Sequence, residues 1–134
     1  MVKYEELVAL AIKAKENAYA PYSNFRVGAA LLTEEGKVFT GCNVENASYG
    51  GTVCAERTAL FKAISEGYKK FKAIAITSDS DNLTFPCGIC RQVLSEFGLE
   101  FDVIVSNKKG EYKVYKLKEL LPYAFSSSDI EGGI

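Results

Sequence analysis

The chain of 134 residues contains no histidine. That removes the usual general base near neutral pH and the commonest neutral metal ligand. Any acid–base chemistry therefore falls to a carboxylate, a thiol, a lysine or a water on a metal. A run of basic residues is also missing: the lysines are scattered, the formal net charge is -1 and the pI is about 5.6. Without an electrostatic footprint for a phosphate backbone, nucleic acid is not an expected partner. Long apolar runs are absent too. The N-terminal stretch MVKYEELVALAIKAKENAYA is broken by charge every few residues, so it reads neither as a signal-peptide core nor as a bilayer span. The expectation is a cytoplasmic protein with no membrane partner. No internal repeat or linker divides the chain, and its length suits one domain over residues 1–134 with a core that needs no covalent staple.

What is present is ordinary globular material, 48% hydrophobic and 25% charged, so the chain is expected to fold. Leu7, Val8, Ala11, Ile12 and Ala18 recur at helical spacing from Tyr4 to about Tyr19, and Pro21 forbids continuation. VGAALLTEEGKVFTGCNVE reads as a hairpin around Glu34-Glu35-Gly36. A second helix is predicted from Val53 to about Glu66, with Val53, Leu60, Phe61 and Ile64 on one face and Gly67 as its C-terminal cap. FKAIAITSD is a nearly continuous apolar run, as in a strand covered on both faces, and belongs in the middle of a sheet. PCGICRQVLSEFG opens a third helix after Pro86, repeats Cys90, Val93, Leu94 and Phe97, and closes on Gly98. LEFDVIVSN and YKVYKL read as further strands, followed by a short helix around Lys118 to Leu121 that Pro122 ends. The tail SSSDIEGGI is small and polar and should be loose unless a partner holds it. Helices alternating with strands after a hairpin imply an α/β layered domain with a mixed sheet and helices on both faces.

In a reducing compartment, Cys42, Cys54, Cys87 and Cys90 are metal ligands, catalytic groups or buried residues rather than disulfide partners. Cys87 and Cys90, three apart at a helix start, can share a metal. Alone, the pair suits a redox dithiol or two buried thiols equally well. Cys54 favours metal, because a dithiol needs no third cysteine and Cys54 also sits at a helix start, where backbone N–H groups and the macrodipole favour thiolate. If Cys42 were a fourth ligand the site would be closed and structural. It lies in a strand-like stretch with no cysteine at knuckle spacing, and is read as a packed core thiol. Three thiolates leave an open position on Zn²⁺, where water ionises near neutral pH. Glu56, two residues after Cys54, can reach the same space and exchange a proton with that water; the alternative is a solvated glutamate favoured by the helix dipole. Three thiolates and hydroxide give the site a surplus of negative charge, so a donor to sulfur would help. Arg57 is placed to be one, or to be a surface arginine.

CAE followed by PCGIC resembles the signature of the zinc nucleoside deaminases. YAPYSNFRVGAAL, GCNVENASYG, CAERTAL, PCGICRQ and LLPYAFSSSDI, in that order, resemble the small cytidine deaminases of the three-cysteine type over most of the chain. The resemblance implies a three-layer α/β/α fold around a central mixed five-stranded sheet. It implies hydrolytic deamination of cytidine and 2′-deoxycytidine with release of ammonia, near Phe85 and Pro86, as a step of pyrimidine salvage. One Zn²⁺ per subunit would be held by Cys54, Cys87 and Cys90, with Glu56 as proton carrier and Arg57 near the sulfurs. Phe25 would stack near the pyrimidine, Asn43, Val44 and Glu45 would line the ribose side, and the backbone at Ala55 would bond the pyrimidine carbonyl. Ala47, Tyr49 and Phe125 would reach the active site of a neighbouring subunit in a homotetramer.

Overall fold

The computed structural model describes residues 2–131. Five strands, β1 (Val27–Thr33), β2 (Val38–Cys42), β3 (Phe71–Ser78), β4 (Asp102–Ser106) and β5 (Tyr112–Lys116), form one sheet in the order β2-β1-β3-β4-β5. β1 is antiparallel to β2 and β3, β3 is parallel to β4, and β4 is antiparallel to β5. The sheet is mixed, and β3 lies at its centre as its continuous apolar run predicts. Among the described residues, five α-helices and one 3₁₀ turn (Tyr49–Gly51) complete the fold: α1 (Tyr4–Lys15), α2 (Ala55–Ser65), α3 (Gly88–Ser95), α4 (Leu117–Leu120) and α5 (Ser127–Glu131).

Period-two alternation divides the strands between two buried clusters. Ala29, Leu31, Ile74, Ile76, Val103 and Val105 face α2, α3 and α4, packing with Ala59, Leu60, Leu94 and Leu117. Their neighbours Ala30, Leu32, Ala73, Ala75 and Ile104 face α1 and pack with Leu7, Val8 and Ala11. The architecture is therefore three layers, α/β/α. Small residues on the α1 side let that helix lie close to the sheet. At Gly28 a Cβ would fall 2.0 Å from the carbonyl oxygen of Ala11, so only glycine fits there.

Several predicted boundaries move. The first helix stops at Lys15, short of Tyr19 and without Ala18, because Tyr19 leaves to pair with Val44 in an isolated parallel bridge. On α2 the buried face is Ala55, Glu56, Ala59, Leu60 and Ala63, whereas Phe61 points outward. α2 starts at Ala55 rather than Val53. Gly67 and Gly98 do follow their helices with positive φ, as caps require. The tail is not wholly loose: α5 forms over Ser127–Glu131, where the Ser126 N–H donates to the Asp129 carboxylate at 2.7 Å and the Asp129 N–H to the Ser126 carbonyl at 3.0 Å. The remaining part of that tail, residues 132–134, lies outside the described residues.

The register brings three chain ends together. Val27 pairs with Ser78 and Gly28 with Cys42, so the start of β1 and the ends of β2 and β3 lie at the same end of the sheet's strands. The loops leaving β2 and β3 at that end lead to α2 and α3.

Candidate metal centre and active site

Cys54 is the N-cap of α2 and Cys87 the N-cap of α3, both in extended backbone. Cys90 is buried in the first turn of α3, and its N–H points at Cys87 Sγ at 3.5 Å. Two helix N-termini thus converge on the same point. Cys54 Sγ and Cys87 Sγ are 3.7 Å apart, and all three sulfurs lie within 4.8 Å of one another. Tetrahedral zinc with Zn–S bonds of about 2.3 Å needs sulfurs about 3.8 Å apart, so the donor set and its spacing fit the ion. Among the described residues this is the one grouping of three or more potential ligand side chains at metal-binding separation.

Cys42 stands outside that grouping and is half-buried, which corrects its reading as a packed core thiol. As the last residue of an edge strand, it keeps one side open. Burial still pushes its thiol up from the usual range.

The local field favours thiolate at Cys54. A hydrogen bond from Cys90 and the guanidinium of Arg57 bring its thiol down to about 5, against the cost of burial. The same hydrogen bond and its own burial push Cys90 up. Arg57 Nη2 lies 3.7 Å from Cys54 Sγ and 3.4 Å from the Thr52 carbonyl, so this arginine turns inward to the sulfur rather than outward to solvent.

Glu56 is 3% exposed. Burial is the main reason its carboxyl is pushed up to about 7, and the charge on Cys54 adds to the shift. Among the described residues, the buried side-chain atoms without a hydrogen-bond partner are Glu56 Oε1 and Arg57 Nε. An unpartnered carboxylate oxygen is costly inside a protein, and here Cys54 and Cys90 are near enough to act on the same carboxyl.

A cleft of about 300 Å³ is lined by Cys54, Ala55, Glu56 and Cys87 together with Phe25, Asn43, Glu45 and Phe85. As the first residue of α2, Ala55 has an N–H without an intrahelical partner. The 43–45 segment is brought alongside by a paired bridge, Val44 N–H to the Val53 carbonyl at 2.9 Å and the reverse at 3.0 Å. Asn43 is nearly buried and acts as a clamp: Oδ1 accepts from Val27 N–H at 2.9 Å and Nδ2 donates to the Phe25 carbonyl at 2.8 Å. Glu45 Oε1 accepts from the N–H groups of Tyr22 and Ser23 at 2.9 and 3.1 Å, and its other oxygen accepts from the Ser23 hydroxyl. These bonds hold its carboxyl below the usual carboxylate range.

Not every expected residue meets in this cleft. Val44 contributes backbone only, its side chain being exposed. Ala47 and Tyr49 lie on the surface of the loop between β2 and α2, and Tyr49 rests edge-on against Tyr22 with ring centroids 5.9 Å apart. Phe125 is exposed beyond α4. Sequence reasoning missed Ser23, Thr52 and Thr84, which also border the cleft. Short polar residues in loops carry no spacing signal that would have found them.

An α/β/α domain with three thiols and a buried glutamate converging at two helix N-termini belongs to the class of zinc-site enzymes with an open coordination position. The family model for the cytidine and deoxycytidylate deaminase zinc-binding region matches residues 1–106. The chain is 50% identical over 127 residues to a cytidine deaminase from Sporosarcina psychrophila, covering 94% of this chain and 93% of that one. It is 52% identical over 128 residues to a probable cytidine deaminase from Dictyostelium discoideum, covering 94% of this chain and 86% of that one. The crystal structure of cytidine deaminase from Burkholderia pseudomallei superposes with a TM-score of 0.89 at 51% identity, covering 92% of this chain and 100% of that one. This chain belongs to the cytidine and deoxycytidylate deaminase family, and its Cys54, Cys87 and Cys90 cluster fits one Zn²⁺ per subunit.

Proposed function

We propose that the protein catalyses hydrolytic deamination of cytidine and 2′-deoxycytidine to uridine and 2′-deoxyuridine with release of ammonia, a step of pyrimidine salvage. The observation that carries this reading is the buried Glu56 carboxylate, with a free oxygen, lining the same cleft as Cys54 and Cys87. Zinc held by the three thiolates supplies Lewis acidity and makes water nucleophilic near neutral pH. The remaining work belongs to the chain. Glu56 takes the proton from the attacking water and delivers it to N3 as the C4–O bond forms. It then takes the second proton from the new C4 hydroxyl and hands it to the amino group as the C4–N bond breaks and C4=O forms, so that water and cytidine become ammonia and uridine.

Arg57 offsets part of the negative charge on the sulfurs. The Ala55 N–H points out of the helix end and can donate to the pyrimidine carbonyl, and Phe25 gives the ring an apolar wall. Asn43 and Glu45 form the ribose side, with only the backbone of Val44 between them. The cleft border carries the carboxylates of Glu45 and Glu56 and no lysine or arginine among the described residues, which favours a nucleoside over its 5′-phosphate.

Ala47, Tyr49 and Phe125 are read as contacts to a neighbouring subunit's cleft in a homotetramer. Their exposure supports this, at 76% for Tyr49 and 59% for Phe125. The cytoplasm is the proposed location. Among the described residues no helix is long and apolar enough to cross a membrane. The test is incubation with cytidine while uridine and ammonia are followed, with metal measured on the same sample. Equimolar uridine and ammonia with one zinc per chain is expected; absence of turnover in zinc-replete protein would overturn the reading.

A further inference from the structure

Immediately after the ligand Cys90, two side chains of α3 reach away from the thiol cluster to the C-terminal segment. Arg91 Nη1 donates to the Leu120 carbonyl at 2.8 Å, and its Nε donates at 2.8 Å to the carbonyl of Pro86, the residue before Cys87. Gln92 Nε2 donates to the Phe125 carbonyl at 2.9 Å. The segment between those two carbonyls has little burial to hold its shape. Pro122, Tyr123 and Phe125 are exposed, and Tyr123 is fully so. Tyr123 also has φ 54, a left-handed conformation that a bulky residue adopts only where its surroundings impose it. Hydrophobic packing does not impose it here, because the ring touches solvent. Within the chain the segment is held at its start by the packing of Leu120 and the Leu121 N–H, which donates to the Leu117 carbonyl at 3.0 Å, and at both ends by the two carbonyl clasps.

We propose that Arg91 and Gln92 are positioning residues that fasten residues 120–125 to the turn bearing Cys87 and Cys90. One guanidinium bridges the loop before Cys87 and the end of α4, and the adjacent amide fixes Phe125. The order of the thiol turn is thereby linked to the order of the segment that presents Tyr123 and Phe125. Linkage is reciprocal: whatever fixes the turn fixes the segment, and freeing the segment loosens the hold on a metal. The inference rests on the zinc reading of the three cysteines and on Phe125 acting at a substrate cleft.

The test is amide exchange of the full-length protein, zinc-loaded and after chelation, in wild type, Gln92→Ala and Gln92→Glu. Gln92→Glu keeps the size and removes the donor. In wild type, chelation should speed exchange over residues 121–131 while β3 stays protected. In zinc-loaded Gln92→Ala and Gln92→Glu the same residues should exchange roughly 3- to 10-fold faster, the weight of one hydrogen bond. Zinc transfer to a competing chelator should accelerate in both variants. In turnover, KM for cytidine should rise several-fold with kcat within about twofold. Wild-type exchange and wild-type zinc release in both variants would overturn the clasp. Failure of the zinc reading would look different, as wild-type protein that holds no zinc.

Discussion

Gly41 lies so close beneath Ala55 that a Cβ on it would stand 2.6 Å from the Ala55 carbonyl oxygen and 2.5 Å from the Ala59 nitrogen. β2 and α2 are in backbone contact at this point, and backbone cannot swing aside as a side chain can. The contact sets the height of the α2 N-terminus, hence of Cys54 and Glu56, above the sheet.

Gly41→Ala should therefore be costly. Overpacking of a well-packed interior costs about 1–3 kcal/mol, and unyielding backbone neighbours place this case at the upper end. A loss near ~3 kcal/mol lowers the melting temperature by roughly 10 °C in a domain of this size. Gly50→Ala, where nothing lies within 4 Å, should leave the melting temperature within a degree or two of wild type. Equal melting temperatures for the two variants would show that α2 is not held by this contact.

Removal of cysteines one at a time separates ligands from bystander. Cys54→Ala, Cys87→Ala and Cys90→Ala should each purify with zinc well below one per chain, because two thiolates with solvent make a poorer site. Cys42→Ala should keep one zinc per chain, since its sulfur is outside the cluster. Metal analysis decides it: a zinc-free Cys42→Ala would mean a closed four-cysteine site.

Asp79 binds Arg26 at 2.9 Å and the almost buried Lys15 at 3.0 Å, and these bonds, Arg26 first, lower its carboxyl to about 2. A folded-state value below the unfolded one gives stability that is fully present above the ordinary Asp pKa near 4 and is lost as pH falls through about 2. Asp79→Asn should remove that increment at neutral pH. The cost is about 1–3 kcal/mol, less than for a fully buried pair because Asp79 is a third exposed. In acid titrations followed by denaturant melts, the gap between wild type and variant should close between about pH 4 and 2. A gap that persists at pH 2 would assign the effect to packing instead of charge.

The parts legible in the sequence were those with a period or a spacing. The continuous apolar run of β3, the turn between β1 and β2, the caps at Gly67 and Gly98, and the C-x-E and C-x-x-C intervals each follow from local geometry, so residues close in sequence carried them. The end of α1 was not legible, because Lys15 to Ala18 could continue a helix; what stops it is the pairing of Tyr19 with Val44, 25 positions away. Asn43 as a clamp on Phe25 and Val27, and Arg91 and Gln92 on the C-terminal segment, depend on which carbonyls the topology brings within reach. Phe61 misled because its apolar character suggested burial, while the close approach of α2 to β2 calls for alanine at 55, 59 and 63.

The central claim is that three sulfurs hold zinc while Glu56 moves the protons, and the most direct measurement is uridine formation by Glu56→Ala with zinc content determined on the same preparation. The expected outcome is one zinc per chain and turnover reduced by well over the ~10²–10⁴ of ordinary acid–base catalysis, since one carboxylate serves several transfers. A zinc-loaded variant that keeps even a tenth of wild-type activity would contradict the account.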